Sequence, residues 1–322
     1  MKIHLPNSAF LGNIDSFFKS FDPSNKGKLE ITANPNWISI HPVVLAMVAA
    51  LGLELDPSYI TCEKFTARSK HYLERMGLFK FLGVQSDMVI KKHEPAGRFI
   101  PLTQINTSEE LKKFITEMTP LLHLSPKHAE PIRYIISELV RNVLEHSLSQ
   151  YGALVAAQYF QKSNTIRIGI ADTGVGIWKT INNAYNPKDD LDAIRLALTP
   201  GITGTTRKEG GTEQNAGAGL FFIKSIANVN RDFFVIYSGT AMYKLLKRQS
   251  SKIKKIKLYA DPLRDRHSSE VHLPNWEGTV VGIDISLATT SEFSLLLDLI
   301  SQTYREAIRE RKTARYRKPK FI

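Results

Sequence analysis

Apolar residues recur at helical spacing between Ser125 and His146: Ile132, Ile135, Ile136, Leu139, Val140, Val143 and Leu144 share one face. Ser125 followed by Pro126 predicts the helix start, since the hydroxyl can cap and the ring's missing N–H is not needed in the first turn. Along the edge of that face stand Glu138, Asn142 and His146, spaced four apart, with Glu145 close to the same line. A solvated helix face ordinarily mixes in Lys and Ser. This strip holds a carboxylate, an amide and an imidazole, groups able to handle a metal, a water or a proton. Taken alone, Glu138 would read as a surface carboxylate and Glu145 as a solvated charge. His146, near the helix end, could equally serve the last carbonyls.

The pattern then changes period. Ala153–Phe160 and Thr165–Ala171 read as two strands joined by a polar turn, the second alternating and ending in IADTGVGI at Asp172. Residues 182–215 are long and polar, contain PGITGTTRKEGGTEQN, and predict only a short helix at 191–198. AGAGLFFIKSIANV then puts two glycines at a helix start. A hairpin is expected at 233–246, strands at 255–259 and 278–287, and a final helix at 291–311 that runs into a basic tail. Upstream, strands at 1–6, 28–31, 37–40 and 59–62 alternate with helices at 8–20, 41–53 and 67–76, a small α/β unit. HEPAGRFIP, with two prolines and a glycine, reads as a linker. The expected division is therefore a unit at 1–92, a linker at 93–107, a main domain at 108–290 and a C-terminal helix with basic tail at 291–322.

Composition narrows the classes. The 322 residues are 43% hydrophobic and 23% charged, as in soluble globular proteins. Cys62 is the only cysteine, which excludes a disulfide framework and a cysteine-based metal site. The start of the chain has no signal-peptide pattern, and the apolar run at 42–53 is far short of the roughly 20 residues a membrane span needs. A cytoplasmic setting with no membrane span is the expectation. The net charge of +12 comes from two segments: 242–258 has seven Lys/Arg and no acid, and 303–322 has eight against Glu306 and Glu310. Such segments suit nucleic acid or an acidic protein partner, although no helix-turn-helix or zinc motif accompanies them.

Three boxes, ELVRN (138–142), ADTGVGI (171–177) and GAGLFFIKSIA (217–227), together resemble the GHKL ATPases of gyrase, histidine-kinase and MutL type. The resemblance spans residues 130–287, about half the chain. It implies an α+β fold of Bergerat type, an α/β sandwich with a mixed sheet covered by helices, and it implies ATP and Mg²⁺ as cofactors. On that resemblance Asn142 would offer its amide oxygen to Mg²⁺, and Asp172 would accept from the adenine amine. Gly174 and Gly176 would let the backbone pass close to the base. Gly217 and Gly219, followed by Leu220, would meet the phosphates at a helix start. Thr203, Thr205 and Thr206, with Arg207 and Lys208, would belong to a lid over the triphosphate.

Glu138 would be the general base acting on water or an acceptor hydroxyl, and His146, which recurs in anti-sigma-factor kinases, would orient it or approach a phosphate. Asn215 departs from the pattern, standing where a first glycine is common. The N-terminal stretch ISIHPVVLAMVAALG is similar to STAS-like domains. The function implied is a regulatory protein kinase or an ATPase with a protein partner. The alternatives are a nucleotide-gated dimeric clamp and an ATP sensor without turnover. A sensor histidine kinase fits poorly, because His93 lies in the linker and His128 lies in the ELVRN helix itself.

Overall fold

The computed structural model describes residues 1–85, 99–121, 124–204, 218–247, 257–287 and 293–316. In the first of these, β1 (Lys2–Leu5) pairs in parallel with β3 (Leu29–Ala33), and β3 with β5 (Ile60–Cys62). The short β2 (Ser8–Ala9) pairs with β4 (Ser39–Ile40). Two expected helices are shorter than their apolar patterns. The stretch 8–20 becomes β2 and then α1 (Asp15–Ser20), and 67–76 becomes α3 (His71–Arg75), separated by the left-handed Gly77 from α4 (Leu78–Leu82).

Helix α2 (Pro42–Leu53) organises this unit. His41 Nδ1 accepts the Val43 N–H at 3.1 Å, and Pro42 takes the first helical position. From Pro42 to Gly52 every side of the helix is buried, as a helix apolar all round requires. Its partners are not confined to the N-terminal unit. Ile3, Leu5, Leu29 and Ile31 of the small sheet share one hydrophobic core with α2 and with Leu154, Ala156, Ala171 and Val235 of the main sheet.

The main sheet consists of β6 (Phe99–Ile105), β7 (Ala153–Phe160), β8 (Thr165–Ala171), β9 (Phe234–Gly239), β10 (Ala241–Leu245), β11 (His267–Glu270) and β12 (Trp276–Ser286). Their order is β11-β10-β9-β12-β8-β7-β6, and every pairing is antiparallel. The fold is an α+β sandwich. Parallel pairs are confined to the small N-terminal sheets, so the main sheet is not mixed. The expected linker at 93–107 needs correction: Phe99–Ile105 is an edge strand, and 93–98 lie outside the described residues. Residues 257–259 form no strand, 255–256 are outside the described residues, and β11 was not expected.

Alternation along β8 separates the two faces. Ile166, Ile168 and Ile170 point into the helical layer, where Ile132, Ile135, Ile136, Leu139, Val140 and Val143 of α6 (Pro126–His146) and Phe221, Ile223 and Ile226 of α9 (Gly219–Asn230) are buried with them. That layer also holds α5 (Ser108–Leu121), α7 (Gly176–Asn182), α8 (Asp190–Ala197) and α10 (Phe293–Tyr316). On the other face Gly169 of β8 stands directly opposite Gly282 of β12, and α2 begins over this pair. His41, fully buried there, accepts at Nδ1, so its Nε2–H donates to Asp284 Oδ1 at 3.2 Å. Burial lowers the His41 pKa against the pull of Asp284, which keeps the ring neutral. Arg167 completes the group, pairing with Asp284 at 3.6 Å between the rings of Phe10 and Phe160. Among the described residues no helix is long and apolar enough to cross a membrane.

Candidate functional site

A cavity of about 350 Å³ opens between α6, the β8–α7 junction, residues 202–204, the start of α9 and β12. This is within the size range of small-molecule sites. Glu138, Asn142, His146, Asp172, Gly176, Thr203, Gly219 and Leu220 all line it, so residues from the three separated boxes meet in one place with His146 and with Thr203 of the expected lid. Thr205, Thr206, Arg207, Lys208 and Gly217 lie outside the described residues.

Asp172 directly follows β8 and is 1% exposed. The Gly174 N–H donates to its Oδ1 at 2.8 Å, while Oδ2 has no hydrogen-bond partner among the described residues. Burial pushes this carboxyl up to about 7, against the opposing backbone contacts of Gly174 and Thr279. Trp276 Nε1 donates to the Asp172 carbonyl at 3.0 Å and fixes the strand end. Gly174 does not line the cavity. A Cβ there would stand 2.1 Å from the Ser147 carbonyl oxygen, to which the Val175 N–H donates at 2.7 Å. Its smallness lets the loop close on the end of α6. Gly176, at φ +76°, does line the cavity and opens α7.

The α6 strip faces the start of α9. Glu138 Oε1 accepts from Arg141 at 2.8 Å. Burial raises the Glu138 pKa, Arg141 opposes that shift, and Glu145 adds to it. Asn142 Nδ2 is buried without a partner among the described residues, and a turn about Cβ–Cγ exchanges it with the amide oxygen. A Cβ on Gly219 would stand 2.7 Å from Glu138 Oε2 and 3.6 Å from Asn142 Nδ2. Glycine at 219 therefore leaves carboxylate, amide and helix start around one small space. His146 is less engaged: its Nε2 is 3.9 Å from Glu145 Oε2, and its carbonyl accepts from Thr180 Oγ1 at 3.4 Å.

Tyr134, Arg141, Thr180 and Thr279 also line the cavity and were not anticipated. Tyr134 had a usable signal, lying one turn before Glu138 on the same helix. Thr279 had none, because only the pairing of β12 with β8 carries it to Asp172.

The residues fit Mg-ATP. The unpartnered Asp172 oxygen is an acceptor awaiting a donor, and Ile170, Ile177, Ile181, Ile202 and Val281 supply apolar walls for a flat base. Among the described residues no three His, Cys, Asp or Glu could hold a metal. A cation here would rest on Asn142 and on oxygens brought by its anion, which is how Mg²⁺ commonly accompanies phosphates. No family model matches this chain, and no curated protein matches it.

Proposed function

We propose that this protein binds Mg-ATP in the cavity and catalyses transfer of the terminal phosphoryl group to water or to a protein hydroxyl. The observation that carries the reading is the unpartnered oxygen of buried Asp172, set in one cavity with the Glu138–Asn142–Gly219 cluster. Asp172 would accept from the exocyclic amine of adenine, and a carboxylate selects that amine over the oxygen of guanine. Asn142 would hold the cation, which when bound supplies charge neutralisation at the phosphate oxygens. The backbone at Gly219, opening α9, would face those oxygens.

Glu138 would take the proton from the attacking hydroxyl or water. Its raised pKa makes the carboxylate a better base than an exposed glutamate, and the Arg141 ion pair opposes that rise. Glu138→Gln should leave ATP affinity within a factor of about two and reduce phosphate release or protein phosphorylation by about 100-fold. ATP titration followed by a phosphate-release assay checks this, and unchanged turnover would remove Glu138 from the chemistry.

A second reading, nucleotide sensing without turnover, draws on the same ion pair. Arg141 occupies Glu138 Oε1 at 2.8 Å, and a base so held is quiet until the cation moves. Labelled ATP separates the readings: an ATPase releases phosphate, a kinase labels a protein added from lysate, and a sensor does neither while still binding.

A further inference from the structure

Helix α10 lies outside the three boxes, yet it contacts residues that adjoin two separate segments of the cavity wall. Leu296, Ile300, Tyr304, Ala307 and Ile308 follow one another at helical spacing on its inner face. Leu296, Ile300 and Ala307 are buried. Tyr304 packs on Phe221 and Phe222, with ring centroids 6.3 and 6.0 Å away, directly after the cavity residues Gly219 and Leu220. Phe222 in turn meets Tyr134 at 6.3 Å, and Tyr134 lines the cavity one turn before Glu138.

One turn further along α10, Ile308 covers Gly201, where a Cβ would stand 3.0 Å from Ile308 Cδ1. The Arg311 guanidinium donates to the Pro200 carbonyl. Ile202, Thr203 and Gly204, which follow at once, line the cavity. One helix thus contacts Pro200 and Gly201 beside the cavity residues 202–204, and Phe221 and Phe222 beside the cavity residues 218–220, with thirteen residues between the two segments in sequence.

We propose that α10 is a positioning element of the cavity: through Tyr304, Ile308 and Arg311 it sets the spacing of these two walls, so nucleotide binding and docking of α10 are thermodynamically linked. The inference rests on the nucleotide reading above and adds a means of regulation to it. Linkage is reciprocal, so a ligand that favours the docked arrangement must tighten α10, and loosening α10 must weaken the ligand. A helix that served only to cover the sheet's helical layer would show neither effect.

The test uses the full chain. In wild type, amide hydrogen exchange along 296–313 should slow when Mg-ATP is added. The double variant Ile308→Ala/Arg311→Ala should bind ATP about tenfold more weakly, within the usual range of such couplings. Arg311→Lys, which retains a donor for the Pro200 carbonyl, should recover most of the affinity lost in Arg311→Ala. ATP-insensitive exchange in α10, or unchanged ATP affinity in the double variant, overturns the proposal. The exchange measurement needs no variant, so it decides even if the substitutions impair folding. Wild type that binds no ATP at all removes the nucleotide reading itself, an outcome distinct from binding that ignores α10.

Discussion

Asp172→Asn should abolish the proposed ATP binding and at the same time raise the melting temperature of the ligand-free chain. The first effect follows from hydrogen-bond direction. Asp172 Oδ1 already accepts from the Gly174 N–H, leaving Oδ2 as the free acceptor. An asparagine that keeps the Gly174 contact puts its NH₂ where Oδ2 stood, so a donor would meet the adenine amine. Sites built around one buried hydrogen bond reject a mismatched partner strongly, and a loss of about 1,000-fold or more is expected.

The second effect follows from burial. The carboxyl has an ordinary value of 3.8 and is pushed up to about 7 in the fold, so between those values the native state holds its proton more tightly than the unfolded chain. Stability from this group is therefore complete below about pH 4, falls as pH rises through the window, and is lost above about pH 7. The cost of ionising it in place is at most roughly 4 kcal/mol. Asparagine does not ionise, but its NH₂ stays unpaired and returns part of the gain. A net gain of about 1–2 kcal/mol, a rise of a few degrees, is expected at pH 8. At pH 5.5 the gain should shrink, because wild type is then protonated, and wild-type ATP affinity should also decline below pH 7. Calorimetric titration and thermal melts at the two pH values check both signs. Retained ATP affinity would sink the nucleotide assignment, and a lower melting temperature at pH 8 would show that the carboxylate is better solvated than its burial indicates.

What could be read from the sequence was local and periodic. The α6 stripe buries six of its seven predicted positions and leaves Leu144 half-buried, because a 3.6-residue repeat needs no knowledge of the partner. The boxes around Asn142, Asp172 and Gly219 also carried their own signal. Elements that depend on a neighbour were missed. Strand β6 reads as linker because of Pro101, which lies where the register with β7 shifts, between Ile100 and Thr103. An edge strand tolerates proline at such a shift. Strand β11, with the sequence HSSE, has no apolar alternation and forms by pairing with β10.

The back of β8 misleads most. Arg167, Gly169 and Ala171 are polar or small, yet Gly169 lies against the start of α2, Ala171 is buried in the same core as that helix, and Arg167 is held by Asp284, Phe10 and Phe160. Glycine there signals the close approach of another backbone, a meaning that sequence alone does not separate from flexibility.

Gly169→Ala puts a magnitude on that approach. A Cβ at 169 would stand 2.1 Å from the Val43 nitrogen, 2.2 Å from Val43 Cα and 2.4 Å from the Pro42 carbonyl carbon. These are backbone atoms at the start of a fully buried helix, which His41 ties to Asp284 from the same end. No rotamer change relieves the clash, so α2 must lift from the sheet. Lifting it opens a gap under the helix, and dispersion attraction falls steeply with a gap of even 0.5–1 Å. Overpacking costs about 1–3 kcal/mol, and with the weakened packing beneath α2 the total should reach about 4 kcal/mol.

Its cross-strand partner provides the control. A Cβ on Gly282 meets Leu11 Cδ2 at 2.8 Å and Val235 Cγ1 at 3.1 Å, side-chain ends that can rotate away, so Gly282→Ala should cost only about 1 kcal/mol. Urea unfolding of the two variants beside wild type gives the comparison. Equal costs would mean that α2 yields as easily as a leucine methyl and that residues 1–85 sit loosely on the main sheet. A large cost at 169 alone would make α2 a fixed layer of the main domain, with β8, which leads into Asp172, held between α2 and α6.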